Sequence, residues 1–276
     1  MDGMNLKSSM ENSSELKPKR IFELDLIRGT LIFLMCLQHL LYFFYMYSYC
    51  QVWNYTGNDT FLYQIGEVSN FILFGTPCNL IIMGIAWDIY FLMSGITSSF
   101  SNNNLKKSIK IFVFFISYYI IAALCQNFIK YPLILNFGMF LGYSCFALVF
   151  HFFKKLNLKI QIVIVAILMV VGIVFEITGY NLELNPLRWF NFSQNINMYY
   201  LDEWNVFPSI FFFFFGGIIG QIIYKNKESL FKKANNIKVF KPLLFLGKYS
   251  MIIYILNLII YPVLFLILTF FINGGL

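Results

Sequence analysis

LDLIRGTLIFLMCLQHLLYFF, residues Leu24 to Phe44, is apolar over the length of a bilayer crossing, yet it carries Asp25, Arg28 and His39. A transmembrane helix takes ~20 mostly apolar residues, so the stretch reads as a membrane span with polar groups set into it. The whole chain has the same character. It is 59% hydrophobic and 12% charged, holds 34 Phe among 276 residues, and has a mean hydropathy of +0.70. A soluble domain needs more polar surface than this composition supplies, so lipid must be part of the solvent.

Seven apolar runs are long enough to span: 26–47, 71–98, 109–128, 133–153, 160–178, 205–224 and 249–271. Backbone groups in hydrocarbon must bond within their own segment, which makes these runs helices. The expected fold class is therefore all-α, a polytopic integral membrane bundle of about seven transmembrane helices. The second run holds Gly75, Pro77 and Gly84, so a bend there, or a separate interfacial piece before it, is expected. Residues 1–20 form a polar tail without the apolar core of a cleavable signal, and 21–276 read as one transmembrane domain.

Positive charge orients the spans. Lys7, Lys17, Lys19 and Arg20 precede the first, Lys106, Lys107 and Lys110 follow the second, and Lys154, Lys155 and Lys159 follow the fourth. Lys225, Lys227, Lys232, Lys233, Lys238, Lys241 and Lys248 lie between the sixth and seventh, while the alternate connections carry only Lys130 and Arg188. Basic loops mark the cytoplasmic side, which places the N-terminus in the cytoplasm and the protein in the plasma membrane. The net charge of +7 is accounted for by this topology and by contact with anionic lipid headgroups, without a nucleic-acid partner. Five scattered cysteines lack a CxxC pair and read as small buried hydrophobes, not as a disulfide or metal framework. No internal repeat is visible, and the sequence leaves room for a homo-oligomer.

Ionisable groups in hydrocarbon are costly and mark candidate functional sites. Arg28 and His39 are eleven residues apart, which on an α-helix leaves them ~20° apart in angle and ~16 Å apart along the axis. Asp25 is three residues before Arg28, within reach of an intrahelical ion pair. Alone, Arg28 reads equally as a snorkelling anchor and His39 as a polar residue bonding a neighbouring helix. Together on one stripe, they suit a phosphate-binding fork at the cytoplasmic mouth and a proton-accepting imidazole deeper in. Asp88 lies at a depth similar to His39, which puts a carboxylate–imidazole contact within reach without establishing it. Ser94, Gly95, Ser98 and Ser99 form a small-residue surface that serves helix packing or the site equally well. Asn79, Gln126, Asn127 and Asn257 are candidates for bonds between helices, and Trp53, Tyr55, Trp189, Phe190, Tyr199, Tyr200 and Trp204 for an aromatic belt or a sugar platform. A transporter or channel using His39 and Asp88 as a proton or solute site is the alternative reading of these groups.

LDLIRGTLIFLMCLQH resembles the first membrane helix of the transmembrane acyltransferases, with its D-x-x-R-G and following histidine. The branch it resembles most is the bacterial relatives of heparan-α-glucosaminide N-acetyltransferase, related to acyltransferase-3 proteins. DIYFLMSGITSSFSNNNLKKSIK is similar to that branch's F-L-x-S-G-I-S-x-x-x-S-R-x-N-x-K-R stretch, NFGMFLG to F-G-I-L-H, and FLGKYSMIIYILN to its final L-G-x-x-S-L-x-I-Y-x-x-H span. Three family positions depart: an arginine falls at Asn102, and histidines at Leu141 and Asn257.

The resemblance implies an enzyme that takes an acetyl group from cytoplasmic acetyl-CoA, without a metal, and delivers it to an extracytoplasmic acceptor. A sugar hydroxyl or amine of an envelope glycan fits that role. On this reading Arg28, Lys106, Lys107 and Ser94 bind the acyl-CoA, and His39 and Asp88 are catalytic. A non-catalytic family member is the remaining alternative.

Overall fold

The computed structural model describes residues 20–49, 61–75, 77–126, 139–178, 206–231 and 238–273. Among these there is no strand. The helices are α1 (Phe22–Tyr49), α2 (Phe61–Phe74), α3 (Pro77–Phe100), α4 (Asn104–Gln126), α5 (Met139–Phe153), α6 (Leu158–Thr178), α7 (Val206–Ile222), α8 (Lys241–Lys248) and α9 (Ser250–Asn273). The tail before Arg20, the aromatic-rich segments 50–60 and 179–205, and the side chains of Asn79, Gln126 and Asn127 lie outside the described residues.

Each apolar run carries a helix, with two departures at its ends. The second run is broken: the Gly75 N–H donates to the Phe71 carbonyl at 2.8 Å and closes α2, and Pro77 opens α3, where its missing N–H costs nothing. The last run is preceded by α8, set at 71° to the first part of α9. Two described helices, Phe22–Tyr45 and Asn104–Leu124, are long and apolar enough to cross a membrane, or three if the bent α8–α9 pair counts as one. On α6, Ile162, Val163, Ile167, Val170, Ile173 and Val174 are all exposed. A continuous apolar face of that size fits lipid and not water.

The basic segments gather at one end of the bundle. Glu23 of α1 accepts from Ser229 Oγ at 2.5 Å and from the Leu230 N–H at 2.8 Å, tying the start of α1 to the segment after α7. Lys154, after α5, donates to the Ser101 carbonyl between α3 and α4 at 2.6 Å. There, burial and the neighbouring Lys155 push the Lys154 pKa below the usual lysine value. Asn104 Nδ2 donates to the Ser98 carbonyl at 2.7 Å and reverses the chain into α4. Ile21, Leu24, Met93, Ile96 and Tyr224 form one buried cluster beneath these contacts.

Glycines set the two closest crossings. A Cβ on Gly95 of α3 would fall on the Phe213 carbonyl of α7, and one on Gly216 would fall on the Leu92 carbonyl in return. In the same way a Cβ on Gly29 of α1 would meet the Leu243 carbonyl, and one on Gly247 of α8 the Asp25 carbonyl. Without a hydrophobic drive between helices in lipid, such backbone approach is what holds them together. Elsewhere polar bonds cross the bundle: Gln221 Nε2 donates to Gln161 Oε1 at 2.8 Å between α7 and α6, and Ser108 Oγ to the Ser144 carbonyl at 2.6 Å between α4 and α5.

Gly95→Ala isolates the crossing term. Helix propensity alone would favour alanine by ~1 kcal/mol, whereas overpacking costs ~1–3 kcal/mol or more. The variant is expected to melt at lower temperature in detergent. An unchanged or raised midpoint would contradict the crossing described here.

Candidate functional site

A cavity of about 430 Å³ opens between α1, α3, α4, α5 and α9, within the range of small-molecule sites. Its polar side is cationic: Arg28 comes from α1, and Lys107 and Lys110 from the first turns of α4. Tyr90, Ser94 and Thr97 of α3 supply hydroxyls, at the i, i+4, i+7 spacing of one helix face. Ile111 and Phe114 continue the α4 stripe inward, and Phe140, Met251 and Ile255 add apolar wall. A positive mouth thus leads into a mixed hydroxyl and apolar interior. Such a site takes a ligand with anionic groups at one end and a less polar arm at the other.

Arg28 is held in place by Asp25, which bonds both Arg20 (3.2 Å) and Arg28 (3.7 Å) from one carboxylate. The expected Asp25–Arg28 pair is therefore present, with Arg20 as a third member. The Arg28 side chain is 22% exposed and lines the cavity.

The sequence-derived candidates divide into two groups. Arg28, Ser94 and Lys107 share the cavity. Lys106 is exposed on α4 and is not in the described lining, because it stands ~100° around the helix from Lys107. Asp88 is half-buried on α3, ~200° around from Tyr90, and is likewise absent from that lining. His39 is buried, at 6% exposure. It lies beyond the cavity, and its Nδ1 is paired with the side-chain amide of Asn257 on α9. Arg28 and His39 share a helix stripe, but the described cavity does not run from one to the other.

Between them lies a buried cluster that includes Ile32, Met35, Phe140 and Tyr254. Phe140 also lines the cavity and packs edge-on against Tyr254, with ring centroids 4.9 Å apart. Tyr254, fully buried, stands three residues before Asn257. Tyr261, four residues after Asn257, donates to the Cys36 carbonyl at 3.1 Å, a second bond between α9 and α1 near the histidine. Among the described residues, no group of three or more His, Cys, Asp or Glu side chains converges as a metal site would require.

Reading the sequence for charge alone did not place Lys110, Tyr90, Thr97 and Tyr143 in the cavity lining, where all four stand. A helical projection could have found the first: Lys107, Lys110, Ile111 and Phe114 fall at i, i+3, i+4 and i+7, one stripe of α4.

The family model described as heparan-alpha-glucosaminide N-acetyltransferase, catalytic, matches residues 20–259 of the chain. Comparison with curated proteins and with solved structures gives no match.

The α4 stripe makes a specific prediction, with coenzyme A as the probe. Lys107→Ala and Lys110→Ala should each weaken its binding about tenfold, the worth of a charge-assisted hydrogen bond, while Lys106→Ala should leave it within about twofold. Equal losses at all three lysines would show a diffuse charge effect instead of a cavity contact.

Proposed function

We propose that this chain, which belongs to the heparan-α-glucosaminide N-acetyltransferase catalytic family, is a multi-pass plasma-membrane acetyltransferase. It takes the acetyl group from cytoplasmic acetyl-CoA and delivers it to an extracytoplasmic sugar hydroxyl or amine of an envelope glycan. The observation that carries this reading is the cavity with Arg28, Lys107 and Lys110 at one end and apolar walls at the other. That polarity suits the phosphates and the pantetheine arm of a coenzyme A thioester.

The gathering of the basic segments at one end of the bundle supports placing that end in the cytoplasm. It fits the seven-span arrangement with a cytoplasmic N-terminus. The donor then enters from the side where acetyl-CoA is made, with Ser94 and the neighbouring hydroxyls bonding its arm. The thioester must pass the Phe140–Tyr254 pair to reach His39, so these rings form the gate between donor cavity and transfer point.

At His39 the acceptor approaches from the opposite side. Its oxygen or nitrogen attacks the thioester carbonyl as the imidazole takes its proton. The new bond joins acceptor and acyl carbon, the carbon–sulfur bond breaks, and the proton passes from His39 to the departing thiolate. Asp88 is a second candidate for this chemistry, acting on the field around the histidine.

Two variants of the purified protein test the assignment. His39→Ala should abolish acetyl transfer from acetyl-CoA while leaving expression and coenzyme A binding intact. Arg28→Ala should raise the KM for acetyl-CoA with a smaller effect on kcat. Normal turnover by the His39 variant would remove it from catalysis. Solute flux without transfer would favour a transporter.

A further inference from the structure

We propose that Asn257 is the positioning residue for His39: it holds Nδ1–H through its carboxamide oxygen and so leaves Nε2 bare as the nitrogen that meets the acceptor. The inference rests on the acetyl-transfer reading above both for the choice of tautomer and for the use of that nitrogen. The pairing itself stands on geometry alone.

A neutral imidazole carries one proton, and the bond made by one ring nitrogen decides what the other can do. Here Nδ1 is the bonded nitrogen, its partner is Asn257, and both residues are 6% exposed. Water is therefore a poor competitor for this bond, and the cost of breaking it is that of an unsatisfied buried polar group. The carboxamide nitrogen is the end set against Nδ1. A half-turn of the amide puts the oxygen in the same place at no steric cost, since the two ends are alike in size. Only the orientation with oxygen against Nδ1–H leaves a lone pair on Nε2, and abstraction of the acceptor's proton needs that lone pair.

The bond also fixes the ring's position. Nδ1 is tied to α9, which Tyr261 bonds to the Cys36 carbonyl of α1. Tyr254, three residues before Asn257, is fully buried. Ring rotation that exchanged the two nitrogens would have to break the Asn257 bond inside this packed contact.

The chain has two histidines, His39 and His151, so ¹⁵N-histidine labelling of the full-length protein in nanodiscs reads the ring directly. A His151→Gln variant assigns the signals. The wild type should show a protonated Nδ1 and a bare Nε2. Asn257→Asp, which can only accept, should keep that tautomer and most of the kcat. Asn257→Leu should give a mixture of tautomers and lower kcat about 10²-fold, with the KM for acetyl-CoA within about twofold. A wild-type signal from protonated Nε2, or spectra that Asn257→Leu leaves unchanged, would overturn the proposal. Because the spectra need no turnover, failure of the wild type to transfer acetyl groups would count against the functional reading alone.

Discussion

The backbone contact between Gly29 and Gly247 is the constraint on which the site depends. Each glycine stands where a Cβ would strike the other helix's main chain, on the Leu243 carbonyl in one direction and the Asp25 carbonyl in the other. The crossing joins the two segments that carry the D-x-x-R-G and L-G-x-x-S patterns. Counted from it, His39 lies ten residues along one segment and Asn257 ten along the other, and these are the two residues found bonded. Arg28, next to Gly29, is fixed by the same contact at the cavity mouth. A side chain at either glycine would separate α8 from α1 and with it the level at which α9 meets the histidine.

The polar groups are arranged so that few of them meet lipid. Arg28 is partnered by Asp25 and opens to the cavity, Asn257 is paired with His39 Nδ1, and Gln161 and Gln221 form a pair between α6 and α7. The exposed faces of α4 and α6 are made mostly of Ile, Val, Leu and Phe. This division follows from the cost of an unpaired polar group in hydrocarbon, and it makes polar residues in the spans informative about contacts.

Much of this was legible in the sequence, because membrane helices are long apolar runs and basic loops alternate. The break at Gly75 and Pro77 was legible too, since both residues disfavour a continuous helix. Two elements were not. The α2 sequence mixes Gln64, Glu67, Ser69 and Asn70 into its apolar positions, and α8 is short, with lysine at each end, so neither stands out by hydropathy. In the site, Arg28 and Lys107 were singled out by charge and Ser94 by the resemblance, and the three line one cavity. The pairing of Asn257 with His39 was not legible, because 218 positions separate them and each read only as a candidate for some bond between helices.

The family match covers the segment that holds all of these features, from Arg20 to Ile259. The most direct measurement of the central claim is an experimental structure of the protein in nanodiscs with a non-transferable acetyl-CoA analogue. Phosphate density at Arg28, Lys107 and Lys110, with the thioester-equivalent carbonyl within hydrogen-bonding distance of His39 Nε2 and the Tyr254 ring displaced, is the expected result. Analogue bound elsewhere, or bound at the cavity with its acyl end directed away from His39, would contradict it.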